Sequence, residues 1–124
     1  MIYIVNNAVP ILLATLAGLL VGIALYPELR RPAPLAVAFV AEAWFAAILA
    51  GALILAPPKA GAWVMTIGTA VVIWIGFVAP ALVVTLRARG IATLSIGRDV
   101  FHWLLVMVVE AIVLHAVGLT APPA

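Results

Sequence analysis

Four apolar runs, each long enough to cross a lipid bilayer as a helix, take up most of this chain of 124 residues. They lie at about residues 8–25, 35–55, 63–86 and 96–119. A helical span needs about 20 apolar residues, so four spans nearly exhaust the sequence. With 69% hydrophobic and 8% charged residues, the composition is far from that of a soluble domain, in which about one quarter of the residues are charged. The sequence therefore predicts an all-α integral membrane protein: a single domain, 1–124, folded as a four-transmembrane-helix bundle with short loops.

Proline, glycine and charged residues separate the four runs. The first loop, 26–34, holds three prolines and three charges, which end a lipid-exposed helix. The second loop, 57–61, is a Pro-Pro-Lys-Ala-Gly turn, and the third, 87–90, ends in a glycine typical of helix C-termini. We expect Ser95 or Asp99 to cap the fourth helix.

The basic residues predict the orientation of the bundle. The second loop has only Lys59, whereas the first loop, the third loop and the adjoining start of the fourth run hold five arginines, namely Arg30, Arg31, Arg87, Arg89 and Arg98. Because cytoplasmic loops carry the excess of Lys and Arg, we expect both termini on the periplasmic or extracellular side. No basic residue precedes the first run, which is atypical of a secretory signal, so we interpret it as a mature helix. These few scattered charges do not form the basic stripe that nucleic-acid binding requires.

Small residues at four-residue spacing predict where helices approach closely in lipid. Ala14, Gly18 and Gly22 form such a ridge on the first helix. Ala43, Ala47 and Gly51 form one on the second helix, and Gly68 and Gly76 suggest another on the third. The ridges are candidate helix-packing or partner interfaces. They fit packing within one bundle, and they also fit a dimer interface.

Pro80 lies inside the third run and predicts a break in that helix. It lacks an amide donor and leaves the Gly76 carbonyl without its usual partner, so we expect a kink or local unwinding near Trp74 to Pro80. Such breaks bind substrates or ions in transporters. They also occur in helices that only pack, because neighbours satisfy the freed carbonyl.

Two ionisable residues fall inside predicted spans and form a candidate buried polar site. Glu42 lies two turns into the second helix and Glu110 near the middle of the fourth, where an ionised acid costs roughly 2.5 to 3.5 kcal/mol. Asp99, Trp103 and Glu110 lie on nearly one face of their helix, which should point inward, and His102 is spaced to contact Asp99. One interpretation is a proton path through these residues. The other is a protonated glutamic acid that hydrogen-bonds a neighbour and fixes helix register.

Other chemistries find little support in the sequence. The chain has no cysteine, which excludes disulfides, thiolate metal sites and cysteine nucleophiles. His102 and His115 are the only histidines and share one helix, so haem ligation by two histidines would need a dimer. No His-Glu-x-x-His, Walker or dinucleotide motif is present, and Ser95, the only serine, lies in a loop. We therefore expect no catalytic residues, no metal and no cofactor, and a protein that is not an enzyme.

Several short motifs carry a resemblance to a known family. They are Ile-Trp-Ile-Gly-Phe-Val-Ala-Pro at 73–80, Arg87 and Arg89, His-Trp-Leu at 102–104, and Gly18, Gly22, Tyr26 and Pro27. With these the chain resembles the small bacterial membrane proteins catalogued as domain of unknown function 1761, although Leu25 stands where that family has an aromatic residue. The resemblance implies a four-helix fold in the bacterial inner membrane. It also makes Trp74, Gly76 and Phe77 candidates for a family-specific interface.

Two functional hypotheses follow from the sequence. The first is a non-catalytic accessory subunit of a membrane complex, or a homo-oligomer, which contacts membrane lipid and a protein partner or a second copy of itself. The second is a small proton- or ion-coupled transporter or conductor that uses Glu42 and Glu110. The second hypothesis predicts a polar cavity that reaches one face.

Overall fold

The computed structural model describes residues 1–123, and these residues are helical with no strand. The α-helices are α1 (Ile2–Asn6), α2 (Ala8–Leu25), α3 (Pro32–Leu55), α4 (Ala62–Ile73), α5 (Ala79–Ala88) and α6 (Thr93–Val117). A 3-10 turn (Pro27–Arg30) lies between α2 and α3, and a π-helical segment (Trp74–Val78) joins α4 to α5. Four helices are long and apolar enough to cross a membrane: α2, α3, the continuous Ala62–Ala88 and α6. The predicted fold class is confirmed, and the chain is an integral membrane protein.

Three helix ends differ from the sequence expectation. α3 begins at Pro32, three residues before the expected start, because proline fits the first turn of a helix, where an amide donor is not needed. α6 begins at Thr93, and its N-cap residue is Ala92 with no side-chain cap, so neither Ser95 nor Asp99 caps it. α6 ends at Val117 instead of residue 119 because Gly118 has a φ of 98°, a backbone conformation that favours glycine.

α6 lies at the centre of the bundle. It packs against α2 and α3 on one side and against α4 and α5 on the other, while α3 also packs against α2. The tightest packing uses small side chains, which allow the backbones to come close together in lipid. The fully buried alanines of this core are Ala14, Ala46, Ala50, Ala70 and Ala111.

Both chain termini lie at one end of the bundle, which we call the terminal end. The Asn7 Nδ2 donates to the Thr120 carbonyl at 2.8 Å, and the Thr120 amide donates to Asn7 Oδ1 at 2.7 Å. Tyr3 packs beside Gly51, where a Cβ would lie 2.9 Å from the Tyr3 hydroxyl, and that hydroxyl donates to the Ala47 carbonyl at 3.1 Å. The opposite end, which holds the 3-10 turn, is called the loop-one end.

The third span is peripheral, and it departs from regular α-helix at the expected place without being interrupted. Only 6% of its most apolar window is buried, against 28–39% in the other three spans. The π-helical segment lies just before Pro80, which confirms the predicted local unwinding. The close packing expected at Gly68 and Gly76 does not occur within residues 1–123, because none of their atoms lies within 4 Å of a Cβ placed at either residue.

Candidate functional site

Three ionisable side chains from two helices meet in the interior of the bundle. Glu42 comes from α3, and His102 and Glu110 come from α6. They are 2%, 5% and 0% exposed. We call these three residues the buried cluster. Glu42 lies ten residues into α3, so at 1.5 Å per residue it is about 15 Å from the start of that helix.

The glycines of α2 make the space for this cluster. A Cβ at Gly18 would lie 2.7 Å from Glu42 Oε2 and 2.9 Å from Glu110 Oε1, so both carboxyl groups border the same point and are neighbours. A Cβ at Gly22 would lie 3.5 Å from His102 Nε2 and 3.7 Å from Glu42 Oε1. Glu42 therefore lies between His102 and Glu110 along the glycine face of α2.

The buried cluster lacks the hydrogen bonds that buried polar groups normally make. Four of its atoms are buried without a partner among the described residues: Glu42 Oε2, His102 Nε2, and both carboxyl oxygens of Glu110. Buried polar atoms are nearly always paired, and leaving one unpaired costs about 1–3 kcal/mol. This concentration of unpaired buried atoms makes the buried cluster the candidate functional site.

A second polar group lies at the loop-one end, and we call it the entrance group. The Tyr26 hydroxyl, just beyond the end of α2, donates to Asp99 Oδ1. Arg98 contributes its Nε at 3.6 Å from the same oxygen and its guanidinium at 4.9 Å from the Tyr26 ring centre. Burial, together with the hydrogen bond to Asp99, raises the pKa of Tyr26 to about 12. The phenol therefore keeps its proton and remains a donor.

Tyr26 connects the entrance group to the buried cluster. Its ring meets the His102 ring edge-on, with ring centres 4.8 Å apart. The sequence led us to expect a direct contact between His102 and Asp99. In the described residues, His102 and Asp99 form no hydrogen bond. Tyr26 lies between them instead: its hydroxyl donates to Asp99 Oδ1 and its ring packs against the His102 imidazole.

A cavity of about 780 Å³ opens at the loop-one end and reaches the buried cluster. Glu42 and His102 lie on its wall, whereas Glu110 lies deeper and does not. Val37, on the same wall, is 70% exposed, so one rim of the cavity faces the surrounding lipid. The other lining residues are Tyr26, Glu28, Leu29, Ala33, Pro34, Ala38, Ala41, Asp99 and Trp103.

Apolar packing separates Glu110 from the terminal end. Beyond Glu110 on α6 come Ala111 and Leu114, both fully buried. Ile11 and Ala14 of α2 and Leu49 and Ala50 of α3 belong to the same apolar core. The buried cluster is therefore approached from the loop-one end and shielded on the other side.

The remaining predicted residues lie away from the buried cluster. Ala47 and Gly51 pack beneath Tyr3, and the Trp74 indole donates to the Val100 carbonyl at 2.9 Å. Phe77 is 73% exposed, and Gly76 beside it is exposed too. Pro80 also lies on the exposed surface of the third span.

At the terminal end His115 has partners of its own. Its Nδ1 lies 3.1 Å from the Thr66 hydroxyl, and its ring centre lies 4.2 Å from that of Trp63. In residues 1–123, no group of three or more His, Cys, Asp or Glu side chains is arranged to hold a metal ion.

Comparison of the chain with protein-family models, with curated proteins and with solved structures found no match. The resemblance to domain of unknown function 1761 stays a prediction. Function is therefore inferred from the geometry of the site.

Proposed function

We propose that this protein is a small proton-coupled membrane transporter in which Glu42 and Glu110 carry the proton. The supporting observation is a pair of neighbouring carboxyl groups at membrane depth, with unpaired oxygens, next to a cavity that opens at one end. Ionisable residues inside transmembrane segments mark proton and ion pathways in many pumps and transporters.

The charge on the buried cluster argues for proton binding. Two carboxylates that share one small space repel each other, and hydrocarbon disfavours each of them separately. No lysine or arginine lines the cavity, and α2 borders the cluster with Gly18 and Gly22, which carry no charge. The acid pair must therefore be neutralised by a proton or by a cation that enters through the cavity.

The order of the side chains supplies a route for the proton. From the loop-one end the residues follow as Asp99 and Tyr26, then His102, then Glu42, then Glu110. The apolar core beyond Glu110 blocks an open channel. This one-sided access fits a transporter that exposes its site to each side in turn, and the unwound segment before Pro80 is a suitable place for the bundle to bend.

We also propose an orientation. Arg30, Arg31, Arg87 and Arg89 lie at the loop-one end and Lys59 at the terminal end, so the positive-inside rule favours a cavity open to the cytoplasm. Both termini would then be periplasmic, in the inner membrane of a bacterium. A transporter so placed draws protons inward along the usual gradient.

Proton flux into liposomes tests the proposal. The purified protein is reconstituted with an entrapped pH-sensitive dye, and a potassium gradient with valinomycin supplies the driving force. We expect the wild-type protein to carry protons, and Glu42→Gln and Glu110→Gln to fall to the level of protein-free vesicles, because glutamine keeps the shape of the side chain but binds no proton.

Lys59→Gln is the control, because it removes an exposed charged side chain that lies outside the spans and does not line the cavity. It should keep the wild-type flux. Equal flux in the wild type, Glu42→Gln and Glu110→Gln would overturn the proposal, as would a wild-type flux no greater than that of empty vesicles.

A second candidate function is the accessory subunit or homo-oligomer. It is favoured by the peripheral third span, where Gly68 and Gly76 leave open, lipid-facing space of the kind that a second helix fills. If this surface binds a second copy of the chain, Gly76→Leu reduces the particle size in mild detergent. An unchanged particle size would show that this surface does not bind a second copy of the chain.

A further inference from the structure

We infer that the cavity at the loop-one end binds a lipophilic organic cation, with Glu42 as its counter-ion. This inference rests on the proposed transport function and names the class of substrate that exchanges with the proton. It is based on the shape, lining and unpaired atoms of the cavity.

The cavity has the size and lining of a small-molecule site. Its volume of about 780 Å³ lies within the range of about 300–1,000 Å³ that ligand pockets occupy. Ala33, Pro34, Val37, Ala38 and Ala41 form an apolar wall along α3. The exposed Val37 rim lets an amphiphile enter from the lipid.

Two aromatic side chains favour a positively charged ligand. Tyr26 and Trp103 both line the cavity, and the faces of such rings attract organic cations, most strongly when water is excluded. Phe45 packs against Trp103, with ring centres 5.5 Å apart, and so supports that wall. The Tyr26 ring already interacts with the Arg98 guanidinium on one side.

The unpaired acid supplies the charge. Asp99 is partnered by Tyr26 and Arg98, whereas Glu42 is only 2% exposed and its Oε2 has no partner among the described residues. His102, 5% exposed, also turns an unpartnered Nε2 toward this region. Among the described residues, Glu42 is thus the one buried acid on the cavity wall that lacks a basic partner, whereas Glu28 on the same wall is exposed to solvent.

Cation binding and proton binding compete at Glu42. When the carboxyl holds a proton the site is neutral, and an entering cation gains only apolar and aromatic contacts. When the cation pairs with the carboxylate, the proton leaves through the cavity to water. Each cation bound therefore releases up to one proton, which is the exchange that a proton-coupled transporter requires.

Two probes of the same shape and opposite charge test the inference: tetraphenylphosphonium and tetraphenylborate. Binding of each to the full chain in detergent is measured by equilibrium dialysis, and proton release by pH change in weak buffer. We expect the phosphonium to bind the wild type with proton release and to lose most of its affinity for Glu42→Gln. Trp103→Leu should weaken binding, and Glu42→Asp should restore part of what Glu42→Gln loses.

His115→Gln is the control and should leave phosphonium binding unchanged, since His115 lies at the terminal end and lines no part of this cavity. Circular dichroism and gel filtration establish that each variant is folded. Equal binding of the two probes, or phosphonium binding that Glu42→Gln leaves unchanged, would overturn the cation site. Binding without proton release would keep the cation site and refute proton coupling. Proton flux without phosphonium binding would refute the cation site and leave the proposed proton transport standing.

Discussion

The two ends of the bundle differ in whether their polar side chains have hydrogen-bond partners. At the terminal end, Asn7 is 1% exposed and pairs with Thr120, and His115 has Thr66 as a partner. Towards the loop-one end, Glu42, His102 and Glu110 are equally buried, yet all three have unpaired atoms. Since the described residues pair their buried polar groups at the terminal end, the unpaired atoms of the buried cluster are the contrast on which the proposed site rests.

The glycines make the same contrast. Gly51 at the terminal end accommodates Tyr3, whose hydroxyl bonds to the Ala47 carbonyl. Gly18 and Gly22 accommodate the carboxyl and imidazole groups of the buried cluster. Small residues therefore accommodate an aromatic side chain in one half of the bundle and ionisable side chains in the other half.

The largest expected effect comes from filling the space at Gly18. Because a Cβ there would lie 2.7 Å from Glu42 Oε2 and 2.9 Å from Glu110 Oε1, Gly18→Leu must displace both carboxyl groups and part α2 from α3 and α6. We expect it to lower the free energy of unfolding by about 3 kcal/mol, at the upper end of the usual cost of overpacking. Detergent denaturation followed by circular dichroism measures the change.

Gly76→Leu is the matched control, since open space surrounds a Cβ at that residue. It should leave the stability of the single chain unchanged or raise it by up to about 1 kcal/mol through better helix propensity. Equal losses at Gly18 and Gly76 would contradict the packing described for α2.

The sequence was sufficient to predict the four spans, because the length of an apolar run alone decides whether it crosses a membrane. It also predicted the break before Pro80, because the missing amide of proline acts within its own helix. The start of α3 at Pro32 differs from the predicted start at residue 35, because a proline that ends one helix also fits the first turn of the next.

The site was predictable only in parts. Glu42, Glu110 and the ridge of Gly18 and Gly22 were each visible in the sequence. The sequence did not show that these side chains lie next to one another, because the rotation of each helix about its axis depends on packing against its neighbours. The bond between Tyr26 and Asp99 spans 73 residues and depends on the path of the first loop, for which the sequence contains no direct signal.

A pair of apolar replacements should change stability in opposite directions at the two ends. Glu110→Met removes a fully buried acid with two unpaired oxygens, so we expect a gain of about 1–2 kcal/mol and loss of proton flux. Asn7→Leu leaves the Thr120 amide and carbonyl without partners, so we expect a loss of similar size with flux retained. Unfolding in detergent and liposome flux measure both variants, and destabilisation by Glu110→Met would show that the acid is structural.

The smallest effect concerns Tyr26, which is the paired donor in the otherwise unpaired half. Its pKa is raised from 10.0 to about 12 by burial and by the bond to Asp99, so the folded protein holds the phenolic proton more tightly than the unfolded chain. The resulting stabilisation is complete below about pH 10 and is lost as the pH rises through about 12. Tyr26→Phe should lack this alkaline loss, and the tyrosinate absorbance of the wild type minus that of Tyr26→Phe should have its midpoint near pH 12. Asp99→Asn should lower that midpoint only in part, because burial is the larger cause, whereas a wild-type midpoint near 10 would mean that the entrance is open and solvated.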